Sequence, residues 1–403
     1  MDQLHSVTFD LANGEAVAAS LVDIAGADGY LFVRDGRGFA AWGEAVHVDI
    51  DTAVEQLAAI PHDDRSSGCS GPLAFGAVPF APGAAATLTV PEVIVRDDGS
   101  GRRTVTVTGT NSVNAIPEIP VRRPPTPRAA SFEVAPDGSV DRYLTAVEQA
   151  AEAVRAGRLA KAVIARPVRV RSDSEIPVHS VLRRLETMFA STYRFSFDGL
   201  VGASPELLVE VDGAIVRANP LAGTTRTTGD PDRDAALAEA LLRSEKNQIE
   251  HRAAIEMVRD TLLPHCSYLD WTPEPSIVKV ANVQHLGSLA EGHLSTPHAT
   301  VVELVRALQP TPAVGGHPRD VALELIAELE GFERGRYGGA IGWVDAQGDG
   351  TWAVTLRCAE FSDDRREARL VAGGGIVADS VAHDELAETQ AKLQAMLSAI
   401  VRA

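Results

Sequence analysis

Two carboxylates and one ammonium stand at helical spacing late in the sequence. Glu385, Glu388 and Lys392 are three and four residues apart, so a helix would place all three on one stripe of its surface. A run of glycines at 373–375 precedes them and would let the backbone approach a ligand closely. Charges at this spacing more often form a solvated helix face held by weak ion pairs. A second charged stripe is needed to favour a binding site.

That second stripe lies on a predicted helix from about Asp232 to Leu263. Asn247 and Glu250 repeat the three-residue spacing on the side opposite the apolar residues of this helix. Two helices that present carboxylates toward one point would form an oxygen-rich site, with coordination positions left for water and substrate. Oxygen ligands of this kind are the ones that Mg²⁺ prefers. The two stripes together indicate a magnesium site.

Two further residues have the chemistry of a base and an acid. Lys161 interrupts an otherwise apolar strand at 159–170, where it is either the exposed end of the strand or a buried lysine used for chemistry. Glu206 follows a Gly-Ala-Ser-Pro turn and opens a strand, a place where sheet enzymes often present reacting groups. A turn carboxylate is the more frequent alternative for such a glutamate.

Arg357 is the candidate cation for a substrate carboxylate. In a predicted strand from Thr351 to Ala359 it shares a face with Thr355 and other small residues. A guanidinium binds a carboxylate through two parallel hydrogen bonds, and its position on a small-residue face leaves space for such a ligand. An edge-strand arginine is an equally frequent alternative on this pattern alone.

The elements that must position these residues divide the sequence in two. Residues 1–128 have the pattern of short strands and turns, and an Asp35-Gly36 pair between apolar runs is typical of a hairpin. Prolines crowd the segment 116–128, which indicates a linker or an extended crossing segment. We expect residues 1–128 to be a strand-rich scaffold part of the fold, and residues 129–403 to be the catalytic part of the same fold.

The composition argues against large anionic partners. The chain of 403 residues has a net charge of −18, which repels nucleic acid and anionic membranes, so the expected partner is a small molecule. Cys69, Cys266 and Cys358 are scattered without metal-type spacing and indicate reduced thiols. No targeting segment or stretch of membrane-spanning length is visible, so we expect a cytoplasmic protein.

Taken in order, several motifs resemble those of the chorismate-utilising enzymes, the family of isochorismate, salicylate, anthranilate and aminodeoxychorismate synthases. The motifs are Leu-Ala-Lys161, Gly-Ala-Ser-Pro-Glu206-Leu-Leu, Pro-Leu-Ala-Gly-Thr224, Glu-Lys-Asn-Gln-Ile-Glu250-His, Pro-Thr-Pro-Ala313, Gly-Gly-Gly-Ile-Val and Glu385-x-x-Glu388-Thr-x-x-x-Lys392. The resemblance implies a single large α+β domain with an antiparallel β-sandwich core and helices packed outside. It also implies an active-site cleft lined by these motifs.

The resemblance implies roles for individual residues. Glu250 and Glu388 would bind Mg²⁺ directly and Glu385 through water, with the metal holding the ring carboxylate of chorismate. The residues implied to contact the rest of the substrate are Gly223 and Thr224 at the ring, Tyr337, Arg357, Gly375 and Lys392 at the enolpyruvyl carboxylate, and in addition His285 and Ala313.

The residue at position 161 separates members of this family. The members that use water as nucleophile carry a lysine where Lys161 stands, whereas anthranilate synthases usually have glutamine. Ala222 stands where aminodeoxychorismate synthases often carry a nucleophilic lysine. Asn247 and Ala313 resemble the isochorismate synthases more than the salicylate synthases. The resemblance therefore implies an isochorismate synthase, an isomerase that needs no obligatory protein partner and feeds menaquinone or siderophore biosynthesis.

The implied reaction uses one base and one acid. Neutral Lys161 would remove a proton from the water that attacks C2 of chorismate, while Glu206 would protonate the hydroxyl that departs from C4. One alternative is a salicylate synthase, which also eliminates pyruvate. Another is a non-catalytic or amidotransferase-dependent chorismate-binding subunit, although such a subunit would be expected to lose Lys161, Glu206 or a metal carboxylate.

Overall fold

A computed structural model describes residues 3–68, 70–110, 115–125, 130–280 and 283–402. Cys69 and the part of the proline-rich segment from 126 to 128 lie outside these described residues. Residues 116–125 of that segment form neither helix nor strand, as its prolines predict.

The strands formed by the described residues are numbered in chain order. They are β1 (His5–Asp10), β2 (Tyr30–Arg34), β3 (Arg37–Trp42), β4 (Val46–Asp49), β5 (His62–Arg65), β6 (Leu73–Val78), β7 (Thr87–Val90), β8 (Val93–Asp98), β9 (Arg103–Gly109), β10 (Phe132–Pro136), β11 (Lys161–Ser172), β12 (Tyr193–Phe197), β13 (Leu200–Ser204), β14 (Leu207–Asp212), β15 (Ile215–Asn219), β16 (Leu221–Arg226), β17 (Cys266–Trp271), β18 (Ser276–Val280), β19 (Val283–Gly287), β20 (Ala290–Leu294), β21 (Gly316–His317), β22 (Ala340–Asp345), β23 (Gly350–Val354), β24 (Cys358–Phe361) and β25 (Glu367–Ile376).

These strands build two large sheets and one small one. Within the described residues, a 13-stranded sheet has the order β10-β11-β25-β24-β13-β12-β2-β3-β8-β9-β1-β5, and β21 also pairs with β11. A 9-stranded sheet has the order β17-β20-β15-β14-β23-β22-β6-β7-β4, and β16, β19 and β18 form the third sheet. The pairs nearest the predicted site are antiparallel, whereas β1 and β5 are parallel.

The helices pack outside these sheets. They are α1 (Leu21–Ala25), α2 (Ala53–Ala58), α3 (Val140–Arg155), α4 (Val178–Met188), α5 (Pro231–Arg243), α6 (Glu245–Leu262), α7 (Val301–Leu308), α8 (Arg319–Leu329) and α9 (Ala382–Val401). For the site, the important contacts are those of α9 with β25 and of α6 with β16. The single α+β domain with an antiparallel sandwich core and external helices is thus confirmed.

Each large sheet joins a block of strands from residues 129–403 to a block of strands from residues 1–128. In the 13-stranded sheet β2 pairs with β12, and in the 9-stranded sheet β6 pairs with β22. Aromatic rings from both parts pack together between the sheets, with Phe75 edge-on to Phe39 and to Phe197 at 5.2 Å. The two parts therefore share one core, and the boundary at residue 128 stays a prediction.

Two local predictions have different outcomes. The hairpin is confirmed, because Asp35 and Gly36 between β2 and β3 both have positive φ, as the favoured two-residue turn requires. The single helix predicted from about Asp232 to Leu263 is wrong, because Ser244 is extended and its side chain caps α6 at the Asn247 amide. Serine favours helix caps because its hydroxyl competes for backbone hydrogen bonds. None of the described helices is both long and apolar enough to cross a lipid bilayer.

Candidate active site

Two crossings of the chain between the large sheets lie side by side. The chain passes from the 13-stranded to the 9-stranded sheet between β13 and β14, and it passes back between β23 and β24. Glu206 lies in the first crossing and Arg357 in the second. Two hydrogen bonds of 3.1 Å join the crossings, from the Val354 amide to the Glu206 carbonyl and from the Ala203 amide to the Arg357 carbonyl. The fold thus brings an acid and a cation to neighbouring positions.

Arg357 does not belong to the continuous strand that the sequence predicts. Because β23 ends at Val354 and β24 begins at Cys358, the face that Arg357 was predicted to share with Thr355 does not extend to it. Its φ of 50° is in the left-handed region, where a bulky side chain is uncommon. Such backbone conformations cluster at functional sites. The partly buried guanidinium reaches His285, with a nitrogen 3.4 Å from Nε2.

Glu206 is buried with one oxygen left for a ligand. The residue is 2% exposed, and its Oε1 atom has no hydrogen-bond partner in the part of the chain that the structure describes. Burial raises the pKa of the carboxyl from 4.5 to about 8. A hydrogen bond from the Leu221 backbone and the charges of Lys161 and Arg357 oppose this rise but are smaller effects. At neutral pH the carboxyl carries a proton that it can donate.

Lys161 is buried at the start of β11, so the alternative of an exposed strand end is wrong. Its Nζ atom lies 2.6 Å from Oε1 of Glu250 on α6. Gly375 on β25 faces this ion pair, since a Cβ atom there would lie 2.6 Å from both Glu250 Oε1 and Lys161 Cε. The missing side chain at position 375 is therefore what allows the lysine and the glutamate to meet.

Glu385 approaches the preceding glycine from the other side of β25. Its helix, α9, buries Leu393 and Met396 as the apolar periodicity predicts, and Glu385 itself is only 4% exposed. Its Oε1 atom accepts a hydrogen bond from the Ser380 hydroxyl at 2.7 Å. A Cβ atom at Gly374 would lie 2.6 Å from the other carboxylate oxygen. The buried position contradicts the alternative of a solvated face for Glu385.

Lys392 lies on the same side of α9 as Glu388. Its Nζ atom donates to the Gly373 carbonyl at 2.9 Å and lies 2.7 Å from Oε1 of Glu388. Burial acts to lower the pKa of Lys392, but the Glu388 carboxylate contributes to a net rise. The glycines were predicted to bring backbone amides near a ligand, and here they lie inside a strand. Their main effect is that charged side chains can pack against the strand.

The small third sheet supplies the opposite wall. Nδ1 of His285 on β19 lies 3.0 Å from the hydroxyl of Thr224 on β16. Burial first and then the charge of Arg357 lower the pKa of His285 to about 3, so the imidazole is neutral at physiological pH. Gly223 has φ of 74° at a bulge in β16, and a Cβ atom there would lie 3.0 Å from Oδ1 of Asn247. Only glycine satisfies both constraints readily.

One cavity brings most of the predicted residues together. The predicted residues that line it are Glu206, Gly223, Thr224, Glu250, His285, Ala313, Tyr337, Arg357, Gly375 and Lys392. Lys161 reaches the cavity through its contact with Glu250, whereas Glu385 and Glu388 are not among the lining residues.

Part of the apolar cavity wall lies outside the predicted motifs. Val163, Val314 and Leu356 belong to none of them, whereas Pro205 and Leu221 belong to two of them. Apolar side chains in strands and turns carry no pattern that separates a cavity wall from an ordinary core, so a single sequence offers no signal for them.

The sequence of the chain matches a known protein family. The sequence profile of a family described as Chorismate binding enzyme matches residues 46–401. The chain belongs to the chorismate-binding enzymes. A Mycobacterium tuberculosis protein provisionally assigned as isochorismate synthase MenF is 39% identical over 344 residues, which cover 82% of this chain and 87% of that protein. Isochorismate synthase DhbC of Bacillus subtilis is 37% identical over 362 residues, covering 87% and 86% of the two chains.

A solved chorismate-binding enzyme has the same fold. The crystal structure of a Bacillus anthracis protein, provisionally assigned as the 2,3-dihydroxybenzoate-specific isochorismate synthase DhbC, superposes with a TM-score of 0.79 at 34% sequence identity. The match covers 94% of this chain and 98% of that one. The family resemblance predicted from the motifs is thus confirmed.

Chorismate-binding enzymes generally depend on Mg²⁺. Among the described residues, no three His, Cys, Asp or Glu side chains come close enough together to hold a metal ion. The donor chemistry nevertheless fits, because the predicted ligands Glu250, Glu385 and Glu388 all offer carboxylate oxygens, although Glu250 and Glu385 approach β25 from opposite sides. Glu250 and Glu388 are each paired with a lysine instead. The magnesium ligands therefore stay a prediction.

Proposed function

We propose that this chorismate-binding enzyme is an isochorismate synthase, an isomerase that interconverts chorismate and isochorismate. The observation that carries the proposal is the buried Glu206 carboxyl, which is protonated at neutral pH and lines the same cavity as Glu250, the partner of Lys161. The Bacillus subtilis relative, an isochorismate synthase at 37% identity, supports the same function.

Glu206 acts as the general acid. Its proton passes to the C4 hydroxyl of chorismate, which leaves as water while a second water bonds to C2 on the ring. The positive charges of Lys161 and Arg357 favour the carboxylate that remains, since both act to lower its pKa. In the reverse direction the same carboxylate takes a proton from the water that attacks C4. One acid and one base serve both directions because the two isomers differ only in the position of the hydroxyl.

Lys161 acts as the general base toward the water at C2. Glu250 fixes the direction of the amine through the contact of 2.6 Å, and Gly375 leaves the space in which the pair lies. Mg²⁺, when bound, would hold the ring carboxylate of chorismate, with Glu250 and Glu388 as direct ligands and Glu385 as a ligand through water.

The remaining cavity residues orient the substrate. Arg357 and Lys392 supply two positive charges on one wall, where the enolpyruvyl carboxylate would bind together with Tyr337 and the Gly375 backbone. The residues that would contact the ring on the facing wall are Gly223, Thr224, His285 and Ala313. A neutral His285 can exchange hydrogen bonds with the substrate without adding a further charge.

The product would feed menaquinone or siderophore biosynthesis, as the names of the relatives suggest for those proteins. We further propose that the enzyme works in the cytoplasm without an obligatory protein partner, because the acid, the base and the binding cations all belong to one chain.

A direct assay tests this function. The purified chain is incubated with chorismate and Mg²⁺, without ammonia or any partner, and the products are separated by chromatography. We expect isochorismate in equilibrium with chorismate, and its formation should cease when EDTA removes the metal. Salicylate with pyruvate would instead identify a salicylate synthase. Unchanged chorismate would favour a non-catalytic or partner-dependent subunit and overturn the proposal.

A further inference from the structure

One edge of β11, the strand that carries Lys161, has a gap in its strand pairing. At the start of this edge β21 pairs with Lys161 and Ala162, and further along β10 pairs with residues 168–172. In the described part of the chain, no strand pairs with this edge over residues 163–167. The opposite edge pairs with β25 along almost its whole length. Buried amide and carbonyl groups in such a gap need other hydrogen-bond partners.

A buried ion pair fills the gap. Arg334, at 4% exposure, donates from its guanidinium to the Val163 carbonyl at 2.7 Å and to the Val314 carbonyl at 2.6 Å. Its Nε atom donates to Glu330 at 2.8 Å, and Glu330 in turn accepts from the Ala165 amide at 2.6 Å. The planar guanidinium and carboxylate thus take the place of a short strand beside β11.

The same pair connects three walls of the candidate active site. Val163 and Val314, whose carbonyls Arg334 binds, both line the cavity. The Arg334 carbonyl accepts a hydrogen bond from the amide of Tyr337, another lining residue, at 3.1 Å. The guanidinium also lies 4.2 Å from the centre of the Phe80 ring, which covers it.

We infer that Glu330 and Arg334 are positioning residues for the reaction, and that they set the distance between the strand of Lys161 and the walls at Val314 and Tyr337. Neither residue lines the cavity, so their effect on catalysis is indirect. The inference rests on the proposed function for its kinetic part. Its structural part, the filling of the β11 gap, can be measured without any turnover.

The variant Arg334→Lys tests the inference. An ammonium cannot hold two carbonyls and a carboxylate in the planar arrangement of a guanidinium. We expect kcat per folded molecule to fall by on the order of 10²-fold, the cost of a displacement of about 1 Å in a reacting group. KM for chorismate should change much less, because the binding cations are untouched. Hydrogen exchange at the amide of Ala165, which donates to Glu330, should become faster than in the wild type.

A matched control is Arg336→Lys. Arg336 stands two residues away and pairs with Glu360 at 3.0 Å, but its other bonds reach the Phe197 and Asp198 carbonyls, away from the cavity. The variant Arg336→Lys should have the kcat of the wild type and the same hydrogen-exchange rates at the amides of β11. If Arg334→Lys does not fold, Glu330→Gln replaces it and is measured in the same way. Glutamine has nearly the shape of glutamate and retains one acceptor oxygen.

The possible outcomes separate the two proposals. Unchanged hydrogen exchange at the Ala165 amide, or a kcat that equals the wild-type value once the folded fraction is counted, would overturn the positioning role. A wild-type enzyme that makes no isochorismate would overturn the proposed function instead. In that case faster exchange at the β11 amides in Arg334→Lys, but not in Arg336→Lys, would still support the role of the ion pair in positioning the strand.

Discussion

Replacement of Glu206 by glutamine should make the protein more stable while it removes activity. The carboxyl has a pKa of about 8 in the folded protein and 4.5 without burial, so the folded state prefers the protonated form. The stability that this preference contributes is complete below pH 4.5 and is lost as the pH rises to about 8. Each pH unit in this window costs about 1.4 kcal/mol, which gives a loss of about 3 kcal/mol at pH 7. An amide has no proton to lose and avoids this cost.

The assay is chemical denaturation of the wild type and Glu206→Gln at a series of pH values. Relative to the wild type, the free energy of unfolding of the variant should rise by about 1.4 kcal/mol per pH unit between pH 5 and pH 8, and then level off. Glu210→Gln is the matched control, because Glu210 lies four residues away on β14 but pairs with Arg217 at 3.2 Å at a less buried position. Its stability difference from the wild type should not show this rise.

Two results would refute the reasoning. A stability difference that stays flat between pH 5 and pH 8 would mean that the buried carboxyl does not hold its proton. Turnover near the wild-type value in Glu206→Gln would mean that another group is the acid, because loss of a general acid typically costs ~10²–10⁴-fold. A higher free energy of unfolding together with a lower kcat is the result expected of a catalytic residue that is retained at a cost in folding stability.

Three further outcomes follow from the site. Lys161→Ala should lower kcat by roughly 10²–10⁴-fold in steady-state assays, and near-normal turnover would remove Lys161 from its role as base. Gly375→Ala should fold, because the new methyl group meets only the flexible ends of Lys161 and Glu250. Displacement of this ion pair should lower kcat by on the order of 10²-fold. The control Gly109→Ala, which has open space at its Cβ position, should have the kcat of the wild type. The wild-type rate should fall above about pH 8 as Glu206 loses its proton, and a pH profile that stays level there would contradict the assignment.

The charged residues of the site could be predicted because helical periodicity fixes where they point. Leu393 and Met396 define the buried side of α9, and Glu385 and Lys392 then follow at known angles from it. The α6 stripe was found in the same way although the predicted helix was too long. Apolar periodicity continues across a serine cap, so a break at Ser244 leaves little trace in the hydrophobic pattern.

The surroundings of Arg357 could not be predicted from alternation alone. A period of two assumes one continuous strand, whereas here the chain changes sheets between Val354 and Cys358. That change depends on the partners β14 and β25, which are distant in sequence. The ion pair of Glu330 and Arg334 could not be predicted for a similar reason, since opposite charges four residues apart near a helix end are usually solvent-exposed, and Arg334 lies in the loop after α8.

The pairing of β11 with β25 also determines when the site can form during synthesis. Ala162 pairs with Ile376, so the two strands meet across about 210 residues of intervening chain, a contact of the kind that slows folding. Lys161 emerges from the ribosome long before Gly375 and α9 do. Until then one long apolar edge of β11 has no partner and can associate with other chains. A nascent or truncated chain that stops before β25 should therefore be inactive and prone to aggregation.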